Sequence, residues 1–351
     1  MARELTFSQA IREAQDICLA KDPSVYIIGL GVPDPKGVFG TTIGLQQKYG
    51  EKRVMDMPTA ENGMTGVALG STLAGMRPVM VHQRLDFALL AVEQIVNQAA
   101  KWRYMFGGQM GAPLVIRLIV GRGWGQGTQH AQSLQSWFSH IPGLKVVMPV
   151  TPADAKGLLI AAIEDDDPVV FLEHRWLHGI SGPVPEGYYR EPLSKARIAR
   201  EGTDLTIASV SYMTLEALRA ADFLAEEGVS AEVVDIRTLR PLDAETVLAS
   251  VRKTGRLIAA DTSWTFSGFS AELAALVAEK AFDSLKGAPV RFGTADCPIP
   301  STPALANLCY PHASDLAEAG RRMMGLKSAP PKRPASKTPL DVPDLSFTGP
   351  F

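Results

Sequence analysis

The sequence predicts an α/β protein in two successive domains: a mainly parallel sheet with helices on both faces, then a smaller α/β domain. Three observations predict it. Short apolar runs of strand length alternate with longer segments of helical period from residue 25 to about residue 173. The pattern then lapses into Gly, Pro, Tyr and charges between His174 and Thr203, as at a crossing between domains. It resumes at Leu205, and the 351 residues, 46% of them hydrophobic, are enough for two cores.

Taken in order, residues 4 to 20 read as an amphipathic helix with Leu5, Ala10, Ala14 and Ile17 on one side. Val25 to Gly29 is a buried strand, and the glycines and prolines from Gly31 to Gly37 make the loop after it. Val54 opens a short strand that leads to Glu61. Asp86 is placed to cap one long helix, because Phe87, Ala91, Ile95, Ala99, Trp102 and Phe106 recur at the spacing of a helical face. Leu114 to Val120 is the next strand and runs into a glycine-rich loop from Gly121 to His130. A strand at Lys145 follows. Thr151-Pro-Ala-Asp then supplies a cap, a first-turn proline and an acid three residues on, the start of a helix that ends near Asp165. Pro168 to Leu172 completes the first alternation.

In the second half, strands are expected at Leu205, Glu232, Leu257 and Val290, with helices around 213–227, 243–253 and 268–284. The expected boundaries are 1–185 for the first domain, 186–203 for a linker, 204–325 for the second domain and 326–351 for an extended proline-rich tail. No internal repeat is present.

Composition narrows the function. A formal net charge of -2, with no single-sign run, gives no electrostatic basis for binding nucleic acid or an anionic membrane. Three cysteines, Cys18, Cys297 and Cys309, have no metal-ligand spacing and an odd count, which suits a reducing cytoplasm. The N-terminus does not read as a secretory signal, and no transmembrane run occurs. Small molecules and protein partners remain.

Several chemical motifs fail. Gly121 to Gly127 has no register of the dinucleotide fingerprint, and neither a Walker lysine motif nor a nucleophile elbow occurs. His174 and His178 follow a strand rather than lying on a metal-binding helix, so packing is the better reading of them. Two residues have more to offer. Glu61 is a lone acid beginning a run of small and apolar residues in which Gly63, Gly66 and Gly70 leave room for close approach to the backbone. An acid in such surroundings can hold or share a proton, although a solvated first-turn acid is the commoner case. His130 closes the glycine-rich loop, where an imidazole can move protons near neutral pH or simply be structural.

Many motifs in order carry a resemblance. They are Gly44-Leu-Gln-Gln-Lys-Tyr-Gly, Asp56-x-Pro-x-x-Glu-x-Gly, Asp86-Phe-Ala, Glu93-Gln-Ile-Val-Asn-Gln-Ala-Ala-Lys, Gln129-His-x-Gln, Pro142-Gly-Leu-Lys-Val-Val and Pro168-Val-Val-Phe-Leu-Glu. They continue through Val234-Asp-Ile-Arg-Thr-Leu-Arg-Pro-Leu-Asp, Gly268-Phe-Ser-Ala-Glu and Asp296-Cys-Pro-Ile-Pro. Together they resemble the beta subunit of the thiamine-diphosphate-dependent decarboxylating component of 2-oxo acid dehydrogenase complexes. The resemblance implies a transketolase-like pyrimidine-binding domain followed by a transketolase C-terminal domain.

It also implies roles. Glu61 matches the acid that hydrogen-bonds the cofactor's pyrimidine, Phe87 the ring that stacks on it, and His130 the histidine that faces substrate. Leu114, Ala162, Ile163, Asp165 and Asp167 align with a potassium-binding turn in several relatives, beside the alternative of a solvated acidic turn. No Gly-Asp-Gly occurs, so the magnesium and diphosphate ligands are expected on a separate alpha subunit, with two copies of each chain in the assembly. A lipoyl-bearing acyltransferase is the implied acceptor. The chain departs from the family at Gly29-Leu30-Gly31-Val32, where an acid is usual, at Arg84 and Leu85, and in the loop carrying Arg122, Trp124 and Gln126. Arg122, with Gln129 nearby in sequence, suits a carboxylate or phosphate on the substrate. Two other readings stand beside the dehydrogenase: the C-terminal half of a split transketolase or carboligase, and a non-catalytic scaffold or regulatory subunit.

Overall fold

The computed structural model describes residues 3–123 and 126–327. Trp124 and the tail from residue 328, with Phe347 and Phe351, lie outside the described residues. The chain divides into two compact units. The first comprises residues 1–121, 129–193 and 239–241, and the second comprises 122–128, 194–238 and 242–351.

In the first unit, β1 (Arg3–Thr6) leads into α1 (Phe7–Lys21). Thr6 caps this helix reciprocally with Gln9: the Gln9 amide donates to the Thr6 hydroxyl, and the Thr6 amide donates to the Gln9 side chain. The remaining elements are β2 (Val25–Gly29), α2 (Leu45–Tyr49), β3 (Val54–Met55), α3 (Glu61–Thr72), β4 (Arg77–His82), α4 (Leu85–Ala88), α5 (Trp102–Met105), β5 (Val115–Val120), α6 (Gln135–Ser139), β6 (Lys145–Val147), α7 (Pro152–Ile163), β7 (Val169–His174) and β8 (Ser181–Val184). β1 and β8 pair antiparallel. The main sheet has the order β6-β7-β5-β4-β2-β3, all parallel. Leu239 and Arg240 of this unit belong to β12 (Thr238–Arg240), which lies beside β6 in the sheet.

Parallel strands covered on both faces must be apolar throughout, and Val115–Val120 is buried at all six positions. Arg117, in the middle of that strand, is the exception, and it is fully matched. Its guanidinium binds both carboxylate oxygens of Glu173 at 2.6 and 2.9 Å and also donates to Gln15 and Thr41 at 2.9 Å each. Burial alone would raise the Glu173 carboxyl, but the Arg117 charge and the His178 and Arg117 hydrogen bonds outweigh it and hold it at about 2. His178, 3.2 Å from Glu173, is lowered to about 4 because burial outweighs that pairing. The packing role expected for His174 and His178 is therefore what the structure has.

Two stretches differ from expectation. Residues 4–6, read as the start of the first helix, form β1 instead, and the helix begins only after the Thr6 cap. The apolar stripe from Phe87 to Phe106 forms α4, a 3₁₀ turn at Leu89–Ala91, a π-helical stretch at Glu93–Ala99 and α5, rather than one helix. Arg84, not Asp86, occupies the cap position. The wider π turn shifts the register, so Ala91, Ile95 and Ala99 are buried while Phe106 is exposed.

In the second unit the sheet order is β14-β13-β10-β11-β9 (Val290–Thr294, Leu257–Trp264, Leu205–Ser209, Ala231–Asp235 and Arg197–Arg200). All are parallel except β9, which runs antiparallel at the edge and lies within the segment expected to be linker. Helices α8 (Tyr212–Ala225), α9 (Ala244–Thr254) and α10 (Phe269–Lys280) fall where the periodicity predicts them. The short α11 (Pro303–Ala306) and α12 (Ala313–Met323) follow. Ile207, Val233, Ile258, Val251 and Leu273 are fully buried in this second core.

Candidate active site

In an open parallel sheet the carboxyl ends of the strands gather the loops, and ligands bind there. In the first unit β2 leads to Leu30, β3 to Asp56 and Glu61, β4 to Gln83 through Phe87, and β5 to Gly121. Polar side chains tie these ends together. Asp56 accepts from the Gly31 amide and from the Met57 amide, both at 2.9 Å. The Gln83 amide group donates to the Leu30 carbonyl at 2.9 Å.

Glu61 is the first residue of α3, preceded by Ala60, which offers no side-chain cap. It is 7% exposed, and among the described residues it has no hydrogen-bond or ion-pair partner. Its carboxyl oxygens are not among the fully buried, unpartnered atoms, so solvent or a ligand can reach them. One helical turn further, Thr65 lies 3.2 Å from the Nε2 of His82. Burial lowers His82 to about 4, so the imidazole beneath the helix is neutral near pH 7.

Phe87 and His130 come together. Their ring centroids are 5.3 Å apart at 87°, an edge-to-face contact between α4 and the loop after β5. Beside them the Gln132 side chain donates to Asp86 of α4 at 2.9 Å, joining that helix to the loop after β5. The other Asp86 oxygen is buried without a partner, and burial raises this carboxyl against the opposing Gln132 hydrogen bond. The sequence reading missed this clamp. Its signal was the glutamine of Gln129-His-x-Gln, two residues past the histidine.

Other expected site residues lie elsewhere or are otherwise engaged. Gln129 is exposed. Arg122, expected to face an open cleft, is instead fully buried in the second unit with a guanidinium nitrogen on the Ser301 carbonyl, because it folds back against segment 295–301. The oxygen atoms at the implied potassium turn all have partners from the chain. Leu114 accepts from the Val169 amide, and Ala162 accepts from the Asp165 amide. Ile163 and Asp165 carbonyls accept from Arg77 at 3.3 and 2.9 Å. The Asp165 carboxylate holds Lys145 at 2.6 and 2.7 Å, and Arg103 binds Asp167. Each of these groups already takes part in a hydrogen bond or ion pair within the chain, although a carbonyl so engaged keeps a second lone pair. Among the described residues no cluster of three metal-ligating side chains occurs.

The outward face of α3 is bare. Gly63 and Gly70 would accept a Cβ with nothing within 4 Å, and Val67 and Leu73 are each 57% exposed. Among the described residues nothing presses on Gly63 or Gly70, two of the three glycines that the sequence singles out for close approach. Gly66 alone has a neighbour, the Gln94 side chain at 3.3 Å.

Comparison with known proteins agrees with the fold. Residues 3–179 match the family described as transketolase, pyrimidine binding domain, and residues 194–316 match transketolase, C-terminal domain. These two matches show a transketolase-like chain of the thiamine-diphosphate family. The chain is 45% identical over 334 residues to the acetoin:2,6-dichlorophenolindophenol oxidoreductase subunit beta of Cupriavidus necator, covering 92% of this chain and 98% of that one. It is 42% identical over 325 residues to the mitochondrial pyruvate dehydrogenase E1 component subunit beta-2 of Oryza sativa, covering 92% and 86%. A solved structure described as a split gene transketolase, inactive beta4 tetramer, superposes with a TM-score of 0.75 at 25% identity, covering 92% of this chain and all of that one. The protein belongs to the E1 beta-subunit family of thiamine-diphosphate-dependent 2-oxo acid dehydrogenases, the family that also holds the acetoin-oxidising beta subunits.

Proposed function

We propose that this chain supplies the proton-handling half of a thiamine-diphosphate site and works with a separate alpha chain that holds the diphosphate and magnesium. The observation that carries this reading is Glu61, a buried carboxyl without a partner at the start of α3. Thiamine diphosphate, when bound, supplies a carbon nucleophile and takes up the electron pair released when a bond beside the substrate carbonyl breaks. Glu61 is assigned to hold a proton at the pyrimidine ring nitrogen. Its position at the first turn of α3, with no partner of its own among the described residues, leaves the carboxyl free to meet a ligand. Phe87 is assigned to cover the pyrimidine face, and His130, braced on the Phe87 edge, to exchange a proton with the substrate oxygen. Asp86 and Gln132 set the distance between α4 and the loop after β5. The bare face of α3 supports a protein partner there, in a two-alpha, two-beta assembly in the cytoplasm.

For the reaction, we propose decarboxylation of a 2-oxo acid with transfer of the acyl group to the lipoyl domain of an acyltransferase. A second reading is favoured by one specific observation: the Cupriavidus relative and a Bacillus subtilis relative, 40% identical over 337 residues, are both named for acetoin. In that reading a 2-hydroxyketone is cleaved in place of a 2-oxo acid, and Leu30 replaces a charged neighbour where no carboxylate leaves. The test is to purify the chain with its alpha partner and follow dichlorophenolindophenol reduction with pyruvate, branched 2-oxo acids and acetoin in turn. Turnover of a 2-oxo acid supports the first reading, and turnover of acetoin alone supports the second. Full turnover by Glu61→Ala would overturn both.

A further inference from the structure

Two of the three cysteines meet in the second unit, although sequence spacing gave them no relation. Cys297 follows β14 and is exposed, while Cys309 lies just past α11 and is buried. Their sulfur atoms are 3.7 Å apart. The two backbones are already joined, since the Ala295 amide donates to the Cys309 carbonyl at 2.8 Å. The Trp264 indole donates to the Cys297 carbonyl at 3.2 Å and fixes the exposed side of the pair. Cys18 is different: it is buried in α1, and burial pushes its thiol up to about 12.

We propose that Cys297 and Cys309 form a reversible dithiol–disulfide site that reacts with peroxide. Geometry gives each sulfur a separate role. Cys297 is the one a small oxidant can reach, and Cys309 waits behind it as the resolving thiol. The Cys297 thiolate attacks one peroxide oxygen, the O–O bond breaks, and Cys297 becomes a sulfenic acid as the first water leaves. The Cys309 sulfur then attacks the Cys297 sulfur; the S–S bond forms, the S–O bond breaks, and hydroxide departs with the Cys309 proton as the second water. Two electrons pass from two thiols to one peroxide, and a dithiol reductant reverses the step. The sulfurs must close from 3.7 Å to about 2.0 Å, a distance that side-chain rotation covers when the backbones are already paired.

The bond has a structural consequence. The chain between the cysteines includes Ser301, whose carbonyl accepts from Arg122 and whose side chain lies where a Cβ on Gly127 would fall. Oxidation closes a loop around Ser301 and tightens the seat of Arg122 and Gly127. From Gly127 the chain continues into Gln129 and His130.

The experiment treats the purified full-length chain, together with its alpha partner, with one to a few equivalents of hydrogen peroxide, then quenches and unfolds it. Free thiols should fall from three to one per chain, and the tryptic map should show the Cys297 and Cys309 peptides joined. Dithiothreitol should restore all three. Cys18→Ser should lose the same two thiols. Cys309→Ala should carry Cys297 on to sulfinic acid, because the resolving sulfur is gone. The proposal is overturned if wild-type Cys297 over-oxidises while Cys309 stays free, or if the crosslinked peptide contains Cys18 or joins two chains.

Discussion

Substituting His82 tests the packing beneath the candidate acid. The wild-type ring is buried and lowered to about 4 from an ordinary 6.5. Above pH 6.5 both folded and unfolded chains hold it neutral, so it adds no pH dependence. As pH falls below 6.5 the unfolded chain takes up a proton that the folded chain refuses until about pH 4, and stability falls over that window. From about pH 7.5 to about pH 5 the unfolded ring is protonated through one and a half pH units, which at 1.36 kcal/mol per unit is about 2 kcal/mol. His82→Leu removes this term. It also leaves the fully buried Thr65 hydroxyl without its ring partner, at about 1–2 kcal/mol near neutral pH. The variant should therefore be the weaker protein at about pH 7.5 and lose about 2 kcal/mol less on the way to about pH 5. Urea unfolding followed by tryptophan fluorescence is the assay, since Trp102, Trp137 and Trp176 all lie in the first unit. Equal losses for both proteins over that range would refute the buried neutral histidine.

Further outcomes follow from the same geometry. Glu61→Gln should leave the thermal transition unchanged and lower turnover of the reconstituted complex by about 10²-fold or more, read by steady-state kinetics. Glu173→Gln strands the Arg117 guanidinium and should cost about 3–5 kcal/mol in denaturant unfolding, with soluble yield falling alongside. Gln132→Ala releases Asp86 and the register of Phe87 against His130. Turnover should fall further than cofactor affinity, a split that titrating activity with thiamine diphosphate would reveal. Val67→Asp places a charge on the bare face of α3, and the chain should then elute apart from its alpha partner in size-exclusion chromatography.

The strands at β2, β5 and β7 were legible because a parallel strand covered on both faces has to be a short apolar run; β4, which opens on Arg77-Pro78, was not read from the sequence. The helix after Asp86 was misread because periodicity records which residues are apolar, not how the backbone turns between them. A π-helical stretch keeps the apolar stripe and changes where it points. Glu61 stood out locally, as a lone acid among glycines. Arg122 stood out for the same kind of reason and was wrongly aimed, since a guanidinium in a glycine-rich loop looks accessible until the loop folds back on Ser301.

By itself, then, the sequence determined the two-domain α/β order, the family and the candidate acid at position 61, because each is written in short-range pattern or in motif order. Only the tertiary structure decided the pairings. Asp86 meets Gln132 across 46 residues, Arg117 meets Gln15 across 102, and Cys297 meets Cys309 through the turn between them. Such contacts depend on which strand ends lie side by side, and strand order in a sheet is set by the packing of the whole core rather than by any local stretch of chain.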